Sequence, residues 1–304
     1  MLVFSVSDKG GTGRSVTSTN LAYRSALRGN HTCYLDFDFG SPTIGSIFDL
    51  EDARRGVRGD GLHDYLRGLA PAARRIDVWE DSSHEYLRRR PGDGSLILLP
   101  GSHGGAEFDI DRAIVNRCVD LLVRLDEEFD LCVVDLSAGR SFAVELVLQA
   151  TARPALRSVP TRWLVFHKWT RQHVIAANSL VYGEHGLLES GKSTGHNEEE
   201  MRSMIRFVRT AVIDPHGPDV AGLRSSQQTW LAEVDKDLER TAAKLELGRA
   251  LRIGTVPLDP VLQWREQLIL NRDVHVTEIA NQATVDAFEE LVKIVTDQRL
   301  WEGS

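Results

Sequence analysis

Cysteine is scarce in this chain. Only Cys33, Cys118 and Cys132 occur among 304 residues, far apart and each inside an apolar segment. That leaves no disulfide framework to read, and it fits buried free thiols in a reducing compartment such as the cytoplasm. Basic charge is also short: 36 Lys and Arg face 44 Asp and Glu, for a net charge of −8. A surface that coats nucleic acid through general basicity is therefore disfavoured, and only a local basic patch would remain for such a role. No run approaches the ~20 apolar residues of a membrane span. The first strand-like run begins at Met1 or Leu2, which is expected to leave no room for a signal peptide. The end, Val295-Thr296-Asp297-Gln298-Arg299-Leu300-Trp301-Glu302-Gly303-Ser304, is short and not basic, unlike a membrane-binding amphipathic tail. No internal repeat is present.

Hydrophobic residues are not scarce. At 42% of the chain they can fill a substantial core, and the length suits one α/β domain over 1–304. Strand-like apolar runs recur at 2–6, 32–37, 96–99, 131–135, 163–167, 206–213 and 251–256, most of them separated by helical patterns. This alternation predicts a doubly wound, mainly parallel sheet with helices on both faces. Ligands of such sheets sit at the carboxyl ends of the strands. Residues 184–200, rich in Gly, Ser, His and Glu, are expected as a mobile loop, and 222–250 as a helical insertion. In that insertion Trp230, Leu231, Val234 and Leu238 follow helical spacing, and are read as ordinary packing onto the sheet. Arg88-Arg89-Arg90 is read as a solvated loop.

The most informative stretch is Asp8-Lys9-Gly10-Gly11-Thr12-Gly13-Arg14-Ser15-Val16, between the first apolar run and a helical pattern. Glycines in a strand-to-helix turn let backbone amides converge on anionic oxygens, and the helix start adds a favourable dipole. The usual phosphate loop reads G-x-x-x-x-G-K-[ST]. Here Asp8 replaces its first glycine, and Arg14 stands where the lysine is expected.

These nine residues resemble the deviant P-loop of the ParA/MinD family, x-K-G-G-x-G-K-[ST], with Arg in place of the loop lysine. Further segments resemble the family's in order. Leu35-Asp36-Phe37-Asp38 is similar to its second strand and switch I, and Gly61-Leu62-His63-Asp64-Tyr65-Leu66 to the short helix that follows. Leu96-Ile97-Leu98-Leu99-Pro100-Gly101-Ser102 is similar to the next strand and loop. Tyr-Asp-type Phe129-Asp130 through Asp135-Leu136-Ser137-Ala138-Gly139 is similar to the Walker B strand and switch II, with Ser137 at a common proline position. Ile253-Gly254-Thr255-Val256-Pro257-Leu258-Asp259 is similar to the late G-x-I-P-x-D loop. The absence of C-x-x-C sets the chain apart from the iron–sulfur carriers of the same superfamily.

The resemblance implies a P-loop NTPase fold and an ATP-dependent dimeric switch that positions or recruits a partner. Gly10, Gly11, Thr12, Gly13, Arg14, Ser15 and Val16 would then cradle phosphates, and Gly139 would sense the γ-phosphate. Ser15 would ligate Mg²⁺, with Asp36 and Asp135 holding its waters. Asp38 would orient the attacking water. Lys9 matches the signature lysine that reaches the partner's nucleotide, which implies a homodimer across bound nucleotide. Asp214 stands where the family places an adenine-reading asparagine, so GTP stays open. ATP is preferred, because backbone around Pro257 and Asp259 can contact adenine in the family. Arginine is larger than lysine and holds its donors in a fixed plane. It is therefore expected to spare binding more than turnover. A non-hydrolysing scaffold is one alternative; a ParA-like DNA-partitioning protein is another, lowered by the acidic balance. No membrane role is expected.

Overall fold

The computed structural model describes residues 1–217 and 220–301. Eight strands form one sheet: β1 (Leu2–Val6), β2 (Thr32–Phe37), β3 (Ile76–Asp77), β4 (Leu96–Leu99), β5 (Leu131–Leu136), β6 (Thr161–Lys168), β7 (Ile205–Val212) and β8 (Arg252–Pro257). Their spatial order is β3-β4-β2-β5-β1-β6-β7-β8. All neighbours are parallel except β3, a two-residue edge strand antiparallel to β4. Sequence periodicity misses β3 because so short a pairing carries no alternation.

Helices cover both faces. Those of seven residues or more among the described residues are α1 (Arg14–Leu27), α2 (Arg112–Glu128), α3 (Phe142–Thr151), α4 (Arg171–Tyr182), α5 (Leu187–Thr194), α6 (Glu198–Met204), α7 (Ser225–Lys244) and α8 (Gln282–Thr296). Successive strand side chains point to opposite faces. Leu2, Phe4 and Val6 of β1 therefore join the cluster under α2, α3 and α4, while Val3 joins the cluster under α1 and α8. β5 divides likewise, with Cys132 and Val134 on the first face and Leu131 and Val133 on the second. Buried on both sides, these strands read as continuous apolar runs. All three cysteines are buried free thiols.

The stretch 184–200 corrects an expectation. It is largely helical, forming α5 and the start of α6. Leu187, Leu188 and Met201 are buried in the core, Gly195 ends α5 with φ +105°, and the Asn197 side chain caps α6. A few apolar anchors suffice where glycine and asparagine supply the ends. Inside 222–250, α7 buries Leu238, but Trp230 is 63% exposed and does not pack onto the sheet. Arg88 closes a helical turn over Glu85–Arg88, and Arg89 and Arg90 pair with Glu85 and Glu80 at the surface.

One buried group ties this core to pH. His167 on β6 is 1% exposed, and its Nε2 has no hydrogen-bond partner. Burial pulls its imidazole down from 6.5 to about 4. Its contribution to stability is complete above the unfolded value and is lost as pH falls toward the folded one, because only the unfolded chain takes up the proton. At pH ~4.5 this amounts to about 2.5 kcal/mol. Urea midpoints at pH ~7 and ~4.5 should therefore fall further in the wild type than in His167→Phe; equal falls would show that His167 ionises freely in the fold.

Candidate nucleotide site

The strand order places β1 between β5 and β6, with β2 beyond β5. The turn after β1 thus lies beside the carboxyl ends of β2 and β5, which carry Asp36 and Asp135. Register makes these two residues direct partners, Asp36 with Asp135, and pairs Ser5 with Asp135. The sequence motifs converge because the sheet order brings three non-consecutive strands together.

In the turn, Gly11 and Gly13 adopt φ +70° and +76°, the left-handed region that favours glycine. Gly13 caps α1 with no side-chain hydrogen bond, so the first amides of α1 keep their capacity for an anion. A Cβ at Gly10 or Gly11 would meet nothing within 4 Å, which leaves open space over the loop. The loop is held from three sides. Ser7 Oγ donates to the Lys9 carbonyl at 3.0 Å, and the Thr210 hydroxyl donates to the Thr12 carbonyl. The Gly139 amide donates to the Ser7 carbonyl at 2.7 Å. Arg140, just after it, pairs with Asp8 at 3.4 Å and donates to backbone carbonyls of Ser179, Glu184 and His185. Lys9 is exposed, with no ion pair among the described residues.

Arg14 turns inward. Its Nε donates to Asp135 Oδ1 at 2.6 Å and its Nη1 to Ser7 Oγ at 3.3 Å. Its Nη2 lies 3.2 Å from Asp38 Oδ2 and 3.4 Å from Ser15 Oγ. Arg14 is 6% exposed and Asp135 is fully buried. Burial by itself would lower the Arg14 guanidinium, but the charges of Asp135 and Asp38 more than offset it and hold it raised. Burial also raises Asp135, and the attraction of Arg14 opposes that rise. Asp36 is pushed well above the usual carboxylate range by burial and by Asp135 alongside it. Its oxygens accept the amides of Asp38 and Ile44, each at 3.3 Å. The other oxygen of Asp38 accepts from Ser137 Oγ at 3.1 Å.

Of the three residues read as a metal site, Ser15 and Asp135 meet around a guanidinium together with Asp38, while Asp36 lies beside Asp135 and is spent on backbone amides. Mg²⁺ demands about six oxygens in octahedral geometry at ~2.0–2.1 Å. Asp135 Oδ1, Asp38 Oδ2 and Ser15 Oγ are already engaged by Arg14. Only Asp135 Oδ2 is left without a hydrogen-bond partner. A divalent ion about 4 Å from the guanidinium would also meet roughly 8 kcal/mol of repulsion at an effective dielectric of ~20. As built, the donor set fits a guanidinium and does not fit the metal ion the sequence suggested. No cluster of three or more His, Cys, Asp or Glu able to hold a metal occurs among the described residues.

Beyond the loop, a cavity of about 400 Å³ opens at the carboxyl ends of β7 and β8, lined by Val212, Asp214, Gly217, Thr255, Pro257 and Asn281 among others. Asp214 spends Oδ1 on the His216 amide at 2.9 Å, as a turn residue. The Asp259 carboxylate is committed to Val261, Asn281 and Thr284, so only its backbone can serve a ligand. Sequence reasoning missed Thr210, Arg140 and Asn281. Thr210 and Asn281 come close only through the β6-β7-β8 order, which leaves no local signal. Arg140 follows the switch glycine directly, and a charge at that position was the available hint.

No family model matches the chain. It is 25% identical over 242 residues to the septum site-determining protein MinD of Buchnera aphidicola, covering 75% of this chain and 82% of that protein. Among solved structures, the MinC:MinD cell division complex of Aquifex aeolicus superposes with a TM-score of 0.61 at 16% identity, over 97% of this chain and 95% of that one. A plasmid partition protein of Borrelia burgdorferi bound to AMPPNP gives 0.58 at 15%, over 97% of each chain. MinD of Pyrococcus horikoshii with Mg-ADP gives 0.51 at 15%, over 98% and 96%. At such identities the structural likeness speaks for the fold, and the match to MinD carries the homology.

The buried ion pair makes a stability test. Arg14→Met should cost about 3–5 kcal/mol, because it strands Asp135 without a counter-charge. Arg14→Met with Asp135→Asn should recover more than half of that loss in guanidinium unfolding. Additive losses would mean that the two residues are not coupled.

Proposed function

We propose, for a chain that belongs to the MinD/ParA family of P-loop ATPases by its homology to MinD, that it is a nucleotide-dependent switch whose bound state outlasts hydrolysis. The observation that carries this reading is the pairing of an open phosphate cradle with an Arg14 that occupies Asp135, Asp38 and Ser15. Phosphoryl transfer depends on positioning and charge stabilisation. Asp38 would meet a water with one oxygen held by Arg14 and the other by Ser137. Binding thus survives better than turnover, which leaves a slowly hydrolysing ATPase, with a non-hydrolysing nucleotide-dependent scaffold as the second reading.

Gly10 to Val16 would hold the phosphates through backbone amides and the Ser15 hydroxyl. The base would enter the cavity bounded by Asp214 and Pro257. There the side chain of Asn281 offers both a donor and an acceptor, which suits adenine. ATP is the proposed ligand. Lys9, exposed and unpaired, is free to cross to a second copy, and a homodimer across nucleotide would present the recruiting surface. A solved MinD relative is in complex with MinC, which supports recruitment of a protein partner. The net charge of −8 gives little support to a DNA-coating role. No helix among the described residues is long and apolar enough to cross a membrane; the proposed location is the cytoplasm.

Calorimetry with ATP should give saturable binding to the wild type and none to Gly13→Val, where a β-branched residue at a left-handed φ, against Thr210, distorts the loop. A melting curve checks that the variant folds. Equal affinities would remove the phosphate-loop assignment. Light scattering should show ATP doubling the mass of the wild type and failing to double that of Lys9→Ala. Identical masses for the two proteins under all conditions would count against the nucleotide-bridged dimer.

A further inference from the structure

We infer that the Arg14 guanidinium is a built-in replacement for the divalent cation, so that this site takes a nucleoside diphosphate or triphosphate without metal. The inference rests on the proposed nucleotide site and goes beyond it by naming the ionic form of the ligand.

The geometry is that of a cation site already filled. A hydroxyl from the first turn of α1 (Ser15), a carboxylate ending β5 (Asp135) and a carboxylate following β2 (Asp38) converge on one positive group at 2.6–3.4 Å. That group is covalently part of the loop. It is 6% exposed, and the carboxylates keep it charged. A lysine at this position could not do the same. Its ammonium is a single point of charge, whereas guanidinium spreads donors over three nitrogens, and all three are used here. The Nε and Nη2 sides face carboxylates. Nη1 donates to Ser7 Oγ beneath the loop.

Charge bookkeeping agrees. A metal ion normally brings two positive charges to balance carboxylates and phosphates together. In this chain both oxygens of Asp36 are spent on backbone amides, those of Asp38 and Ile44. The Arg14 guanidinium is a positive charge that the protein supplies itself, already seated between Asp135 and Asp38. An added cation would have to evict it from Asp135, a fully buried carboxylate.

The test is equilibrium calorimetry of the full chain with ADP and with ATP, in excess MgCl₂ and in excess EDTA. The wild type should bind with affinities that differ less than threefold between the two buffers. MgCl₂ titrated into the preformed ADP complex should give no saturating heat. Arg14→Lys should bind at least tenfold more weakly in EDTA than in MgCl₂, and its ADP complex should then take up magnesium with saturation. Wild-type binding that weakens tenfold or more in EDTA overturns the inference while leaving the nucleotide site intact. No binding in either buffer overturns the nucleotide site, and the inference with it. The wild-type comparison requires no variant to fold, so an unstable Arg14→Lys protein does not spare the inference.

Discussion

A guanidinium buried against Asp135 organises this molecule's carboxyl-edge chemistry. Arg14 opens α1, Asp135 ends β5, and Asp38 follows β2, so a single side chain joins three segments that are far apart in sequence. Such a pair adds little net stability by itself, because desolvating both charges offsets most of the attraction. Its value lies in specificity. Asp135 lies at the end of a fully buried strand, and Arg14 meets it from the first turn of α1 as its counter-charge. The loop between β1 and α1 is thereby fixed in shape before any ligand arrives.

The same constraint spreads outward through hydrogen bonds. Asp38 holds Ser137, Ser137 begins the switch segment, and Gly139 in that segment donates to Ser7 beneath the loop. Arg140 then ties the segment to Asp8 and to the end of α4. The loop and the segments after β2 and β5 thus satisfy one another. Anything that moves these segments must replace these bonds, each worth about 1 kcal/mol net, or more where charge is involved. It can shift the balance only by the difference in its affinity for the two arrangements.

Much of the architecture was legible because burial on both faces writes strands as apolar runs. The acidic residues at 36, 38 and 135 were legible too, since charge at the end of such a run is conspicuous. What escaped depends on geometry rather than on composition. β3 is too short to alternate. The stretch 184–200 is polar enough to pass for a loop, yet Leu187, Leu188 and Met201 anchor it. Trp230 lies on a helical stripe but faces outward, because α7 meets the sheet side only near Leu238. The direction of the Arg14 side chain was the decisive miss. The sequence shows a cation in a phosphate loop. Only the parallel order β2-β5-β1 reveals that two carboxylates lie close enough to draw it away from the phosphate position.

That competition is the central physical point. A basic residue in a phosphate loop can serve the ligand or the protein's own carboxylates, and distance with desolvation decides which. Lysine carries a compact, strongly hydrated charge that is costly to bury, so it stays with the more exposed ligand. Arginine is more weakly hydrated and carries a planar fork, so burying it beside carboxylates costs less. In this chain the fork meets Asp135 and Asp38 at 2.6 and 3.2 Å, and the other donors of the loop are its backbone amides and the Ser15 hydroxyl. Asp38 and Asp135, the acids that the sequence offered for water and metal, are thereby occupied in keeping the loop in shape.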